Sequence, residues 1–355
     1  MRRFRRKQTL FIALVITILV VFFTVGGCMP PPNFDEEAWY KTTKSYDTSL
    51  LYADHIDEDG KFFNPWLRMT PLSSLILPRI FSKRSGFPEF SLEEFEYIQN
   101  DYGYLGEDNN SISFLGHASF IIKLDGATIF TDPLLSDRAG LASKNVKIPF
   151  SFNNVPLKPI VLISHNHYDH LDYQSVVELI KKEAIFIVGL KLGDYIKGLG
   201  AKEVYELDWW NNVTIDNVKY TFLPAQHWSV RFGQGVNKTL WGGFLIEGSK
   251  SVYFSGDSGY FRGFEEFGKR YAIDYALIGV GAYEPRWFMH YQHLNVEEFF
   301  RAAKEINAKV AIPMHLGVIQ LGDEHYLYPL YEISKKVSSE DNITILRVGE
   351  RLIVE

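Results

Sequence analysis

Residues 164–172 read Ser-His-Asn-His-Tyr-Asp-His-Leu-Asp and come directly after the apolar run 159–163. The chain has ten histidines, and three of them fall in these nine positions. A short apolar run closed by polar, turn-forming residues reads as a buried strand. A cluster of metal-type donors then sits at the strand end. His165 and His167 are two residues apart, so in extended backbone they point to one side. Asp169 and His170 come after the turn and can face the same point. Imidazoles with a carboxylate form a borderline-hard donor set, which suits Zn²⁺ best, with Fe or Mn as alternatives. One catalytic ion needs about three protein ligands if a position stays open. Four candidates between 165 and 170 exceed that number, so the sequence predicts two ions.

The surrounding pattern predicts the scaffold. Residues 119–124 and 127–131 are β-rich runs joined by Asp125-Gly126, a hairpin signal. The runs 213–215 and 218–223 flank Asp216-Asn217, and 240–247 and 251–254 flank Gly248-Ser249. The runs 343–348 and 351–354 read as a last hairpin. Buried strands are expected at 184–188, 275–280 and 309–312, and helices over 173–182, up to Gly198, from Asn295 onward and over 326–338. Asn295 with Glu298 three positions on approximates a capping box. Hairpins mixed with helices that return to buried strands predict an α/β fold, a four-layer αβ/βα sandwich with helices outside two sheets. Residues 28–105 are rich in aromatics and proline and read as an irregular extension. It would hold a helix near 91–98 and an apolar wrap at 61–81.

The N-terminus has a different character. Arg2, Arg3, Arg5, Arg6 and Lys7 precede sixteen residues, 10–25, without a charge. This is the pattern of a secretory signal or of a single membrane anchor. Val25-Gly26-Gly27-Cys28 resembles a bacterial lipobox, so Cys28 is the expected lipidation site, on the extracytoplasmic side of a cell envelope. Cys28 is also the only cysteine, which excludes an internal disulfide and a thiolate metal site. Without the five basic residues of 1–27, 32 basic face 43 acidic residues, a balance of −11. That balance argues against general affinity for nucleic acid.

His165-x-His167-x-Asp169-His170 is the signature of the metallo-β-lactamase superfamily, which this chain resembles. The order of further ligands agrees: His227 in Pro224-Ala-Gln-His227, Asp257 in Phe254-Ser-Gly-Asp257, and His315 in Ala311-Ile-Pro-Met-His315. Asn64-Pro-Trp66, Glu206-Leu-Asp-Trp-Trp210, Gln226-His-Trp228, Gly281-Ala-Tyr-Glu-Pro-Arg-Trp-Phe-Met289 and Gln292-His293 resemble the phospholipase D family that hydrolyses N-acylphosphatidylethanolamine. The resemblance covers about residues 60–330. It implies a metallo-β-lactamase fold over 106–355, while the N-terminal pattern above sets 1–27 apart as signal peptide and 28–105 as tether and extension. It implies one Zn²⁺ on His165, His167 and His227, a second on Asp169, His170 and His315, and Asp257 bridging. A hydroxide shared by the two ions would attack phosphorus, releasing an N-acylethanolamine and phosphatidic acid. Tyr168 and His293 are implied at the substrate, and His117 behind the metal centre. The expected partner is a membrane phospholipid, and a homodimer is left open. Two other readings stand beside it: a same-fold hydrolase of a soluble lactone or phosphorylated metabolite, and a non-catalytic metal-binding module.

Overall fold

Alternation along the strands decides the layers. In Ile160–Ile163, Ile160 and Leu162 enter one apolar cluster, while Val161 and Ile163 enter another. In Ile185–Gly189, Ile185 and Ile187 again part from Phe186 and Val188. A strand apolar on both faces must be covered on both faces. The computed structural model describes residues 30–354 except 85, 88, 92–96, 101, 108 and 147–149. The signal segment 1–27, Cys28 and most of the helix expected near 91–98 lie outside the described residues.

Two sheets form the sandwich. The first has seven strands in the order Arg351–Ile353, Ser111–Gly116, Ser119–Leu124, Ala127–Thr131, Ile160–Ile163, Ile185–Gly189 and Glu203–Leu207. The second has six, in the order Val310–Met314, Tyr275–Gly279, Ser251–Phe254, Gly243–Glu247, Val218–Leu223 and Asn212–Ile215. Phe114, Phe120, Ile122 and Leu162 of the first meet Tyr220, Phe222, Phe244 and Leu245 of the second in the inner core. Tyr173–Lys181 and Gly193–Gly198 cover the outer face of the first sheet through Val176, Leu179 and Ile196. Gly263–Arg270 and Val296–Ile306 pack through Phe264, Phe267, Phe299 and Ala302 on the second. The four-layer expectation holds, and the Asn295–Glu298 capping box forms in full. Strands ending at Thr131, Ile163 and Gly189 run parallel, as do those ending at Phe254, Gly279 and Met314. Their C-terminal ends are where an α/β scaffold presents its loops.

Three readings of the sequence change. The last hairpin does not form. Ile343 bridges Ala311 at the edge of the second sheet, whereas Arg351–Ile353 pairs with Ser111–Ser113 at the edge of the first. Two segments bound to different sheets cannot pair with each other. The run 240–247 becomes strand only at Gly243, because the Leu240 and Gly242 amides donate to Leu190 O and Ser164 O. The extension is more regular than expected. It holds the helices Glu36–Ser45 and Leu72–Phe81, and the apolar wrap divides. Phe62 and Trp66 are core, while Ile76 and Leu77 of the second helix stay exposed. Arg79 ties that helix to Asp323 at 2.6 Å.

Candidate metal centre

Three histidines of the centre, His165, His170 and His227, have Nδ1 fixed from behind, which leaves Nε2 free to bind. Asp132, at the end of strand Ala127–Thr131, is fully buried. It accepts from the Ser164 amide (2.7 Å), from Ser164 Oγ (2.5 Å) and from His170 Nδ1 (2.7 Å). Ser164 Oγ in turn accepts from His165 Nδ1 at 2.9 Å, and Gln292 O accepts from His227 Nδ1 at 3.1 Å. These partners place the proton on Nδ1, so the Nε2 lone pairs of His165, His170 and His227 face inward. His167 turns the other way, with Nδ1 2.8 Å from His165 Nε2 and 3.2 Å from His227 Nε2.

Two four-residue donor groups result, with two smaller ones, Asp132, His165 and His170, and Asp257, His293 and His315, overlapping them. His165, His167, His227 and Asp257 form one of the larger groups, and His117, Asp169, His170 and His315 the other. Asp257 reaches both. Its Oδ2 lies 3.0 Å from His170 Nε2, 3.7 Å from His227 Nε2 and 4.0 Å from His165 Nε2, and its Oδ1 lies 3.2 Å from His315 Nε2. Asp169 Oδ2 lies 2.8 Å from His117 Nε2, 3.2 Å from His170 Nε2 and 3.5 Å from His315 Nε2. All but His167 and Asp169 are buried.

The backbone is bent to permit this. His117 and His315 both adopt positive φ, and the His117 amide donates to Leu316 O while the His315 amide donates to His117 O. Left-handed backbone at non-glycine residues is held only where surrounding contacts over-determine it. Gly256, beside Asp257, has φ +56°, and a Cβ there would stand 2.6 Å from Ser164 Cβ.

The electrostatics suit a cation. Burial and three neighbouring imidazoles hold His165 well below its ordinary pKa, and burial lowers His227 likewise. Burial brings His167 and His117 down to about 4. Burial opposes ionisation of Asp257 and Asp169, yet His170 and its neighbours keep both carboxyls well below the usual range. Against burial, Asp257 and Asp169 raise His315 to about 9 and hold His170 well above its ordinary value. Anionic carboxylates therefore stand among the imidazoles of one buried cluster, an arrangement that favours a positive charge there. His170 Nε2, His315 Nε2 and Asp257 Oδ1 are buried without hydrogen-bond partners, which the donor set of a metal site explains.

All seven expected ligands come together here. His293 stands beside them, grouped with Asp257 and His315. Its Nδ1 is 3.9 Å from Asp257 Oδ2, and its ring centre is 5.0 Å from that of His315. Tyr168 belongs to neither group. It is 41% exposed, lies under the Arg231 guanidinium at 4.3 Å, and lines a cleft of about 650 Å³. Sequence reasoning missed Asp132 and Arg231. The available signal for Asp132 was an aspartate closing a β-rich run, Thr131-Asp-Pro133. Arg231 carried none.

The family model described as "Beta-lactamase superfamily domain" matches residues 127–316. The chain is 31% identical to the N-acyl-phosphatidylethanolamine-hydrolyzing phospholipase D 1 of Caenorhabditis elegans, over 65% of this chain and 70% of that one. It is 33% identical to the mitochondrial enzyme of the same name from Saccharomyces cerevisiae, over 61% of this chain and 49% of that one. Among solved structures, a metallo hydrolase of Ignicoccus hospitalis superposes with a TM-score of 0.55 at 22% identity, covering 70% of this chain and 99% of that one. The chain belongs to the metallo-β-lactamase superfamily and is a metal-dependent hydrolase.

Proposed function

We propose that the protein is a phosphodiesterase of phospholipase D type that cleaves N-acylphosphatidylethanolamine into an N-acylethanolamine and phosphatidic acid. The observation that carries this reading is the single carboxylate, Asp257, set between two donor groups, together with relatives named for that reaction. His165, His167 and His227 would hold one divalent ion, Asp169, His170 and His315 the other, and Asp257 both. Zn²⁺ suits these donors best, with Fe or Mn as alternatives. Two such ions supply Lewis acidity, neutralising charge on phosphoryl oxygens and lowering the pKa of water.

The chain's own residues do the rest. Asp132 and the Gln292 carbonyl fix His170 and His227, so the ligand rings need little reorganisation. Burial keeps His293 neutral, with a pKa of about 3, so at neutral pH it donates a hydrogen bond to a phosphoryl or leaving-group oxygen and does not act as an acid. The exposed apolar helix Leu72–Phe81, with Ile76 and Leu77 outward, favours a lipid substrate over a soluble one. A lipid anchor on Cys28 would keep the site beside such a substrate. Among the described residues no helix is long and apolar enough to cross a membrane.

The test is product analysis. The zinc-loaded chain is incubated with N-acylated phosphatidylethanolamine, with unmodified phosphatidylethanolamine and with a lactone panel. Phosphatidic acid and N-acylethanolamine from the first are expected. Turnover of lactones alone would replace this reading with that of a soluble-ester hydrolase.

A further inference from the structure

The turns 138–143 and 230–236 each carry a large apolar side chain out of the protein. Leu141 and Phe232 are both 95% exposed, the highest values among the described large hydrophobic residues. Neither turn is loose. Arg231 donates to Asn166 O at 3.2 Å and to Leu171 O at 2.9 Å, and Gln234 Oε1 accepts from Asn166 Nδ2 at 2.7 Å. The Phe232 amide donates to Tyr168 Oη at 3.3 Å. On the other side Gly140 lies flat on the Tyr168 ring, where a Cβ would stand 3.1 Å from Cγ. Arg138 closes its own turn on Leu141 O at 2.6 Å. Both turns are thus keyed to the loop that holds His165, His167, Asp169 and His170, and both tips stand in solvent.

We propose that Leu141 and Phe232 are a pair of insertion tips that seat the mouth of the metal centre on a phospholipid bilayer; this rests on the lipid-substrate reading above. The choice of occupant comes from shape. Specific protein interfaces bury roughly 800 Å² per partner around an apolar centre. Here two apolar tips stand beside an open cleft that mixes Asp137, Arg138, Gln174 and Arg231 with the exposed rings of Tyr168 and Tyr173, the amphipathic make-up of a membrane-interface surface and not the apolar centre of a protein interface. A fluid bilayer moulds around single inserted side chains, and Arg138 beside Leu141 meets its phosphates. The course of the chain agrees. Residues 10–25 are sixteen uncharged residues after a basic start. Past that segment, the first aromatic of the described chain, Phe34, packs on His290 at 4.4 Å, on the segment leading to His293. The described chain therefore starts close to the element that leads to His293.

The experiment places an environment-sensitive nitrobenzoxadiazole dye at each tip. The full chain carries Cys28→Ser, so that a thiol introduced by Leu141→Cys or Phe232→Cys is the only one. The control is Lys202→Cys, exposed at the far end of the first sheet. Protein is bound to vesicles of phosphatidylcholine and phosphatidylethanolamine with and without spin-labelled lipid. Dyes at 141 and 232 should shift to the blue and lose at least half their emission to the spin label, while the dye at 202 does neither. Equal behaviour of all three on vesicle-bound protein overturns the proposal. A blue shift that grows with protein concentration without vesicles also overturns it, in favour of a second copy covering the tips. With Cys28 intact, Leu141→Asp with Phe232→Asp should raise KM on vesicle substrate tenfold or more, from the lost burial of two large apolar groups, with a smaller change in kcat. The dye readout does not need turnover. Quenching without phosphodiester cleavage keeps the tips and removes the proposed function, and cleavage without quenching does the reverse.

Discussion

At Asp257 two sets of donors meet on one carboxylate, with 3.0 Å to His170 and 3.2 Å to His315 on one side and 3.7 Å to His227 on the other. Asp257→Asn keeps the shape and halves the donor capacity. It is expected to lower kcat at least 10²–10³-fold, the scale of losing one preorganised electrostatic contact. Circular dichroism should match wild type; an unchanged kcat would remove the bridging role. Asp132 groups with His165 and His170, but both its oxygens accept hydrogen bonds from Ser164 and His170, so it acts through them. Asp132→Asn is expected to weaken metal affinity about 10–100-fold, measured by competition with a chelator. The difference between these two residues also explains what was legible in the sequence. Ligands come in a motif, because metal chemistry limits residue type and order. A residue that fixes a ligand from behind is chosen by the fold, and its local mark, an aspartate closing a β-rich run, is shared by many strand ends.

The elements tell a similar story. Hairpins were legible wherever the turn chemistry was local, as at Asp125-Gly126 and Asp216-Asn217. Glu203–Leu207 was missed because its alternation is weak, with only Leu207 buried. The last hairpin was misread because sheet membership is decided by partners over 200 residues away, such as Ser111–Ser113 for Arg351–Ile353. The helix Glu36–Ser45 is held by groups far along the chain. Trp39 Nε1 donates to Glu298 at 2.9 Å, and Arg286 spans Glu36 and Glu298 at 2.6 and 2.9 Å. His290 sits in the same seam, with Phe34 and Trp39 both at 4.4 Å. Burial there lowers its pKa from 6.5 to about 4. The folded state therefore binds this proton less readily than the unfolded chain. His290 contributes full stability above pH 6.5 and loses it as pH falls through 4. In urea titrations, stability of wild type relative to His290→Gln should fall by up to about 3 kcal/mol between pH 7 and pH 4. A pH-independent difference would contradict the burial of a neutral ring.

For the whole molecule, the first sheet supplies His165, His167, Asp169 and His170, and the second supplies His227, Asp257 and His315 at the ends of its strands. Chelation is therefore expected to abolish activity and also to lower Tm. Metal at about 1,000 times its Kd contributes about 4 kcal/mol, which is several degrees for a chain of this size. Calorimetry before and after chelation and zinc return checks this; an unchanged Tm would mean the ions add nothing to the fold. At the other end of the chain, labelled fatty acid should be retained by wild type and absent from Cys28→Ala, and equal labelling would remove the lipid anchor. Neither half of the sandwich owns a complete set of donors. A cation arriving from solution consequently acts as a rivet driven through two plates. Stoichiometric zinc uptake would then report that the plates have closed, before any substrate is offered.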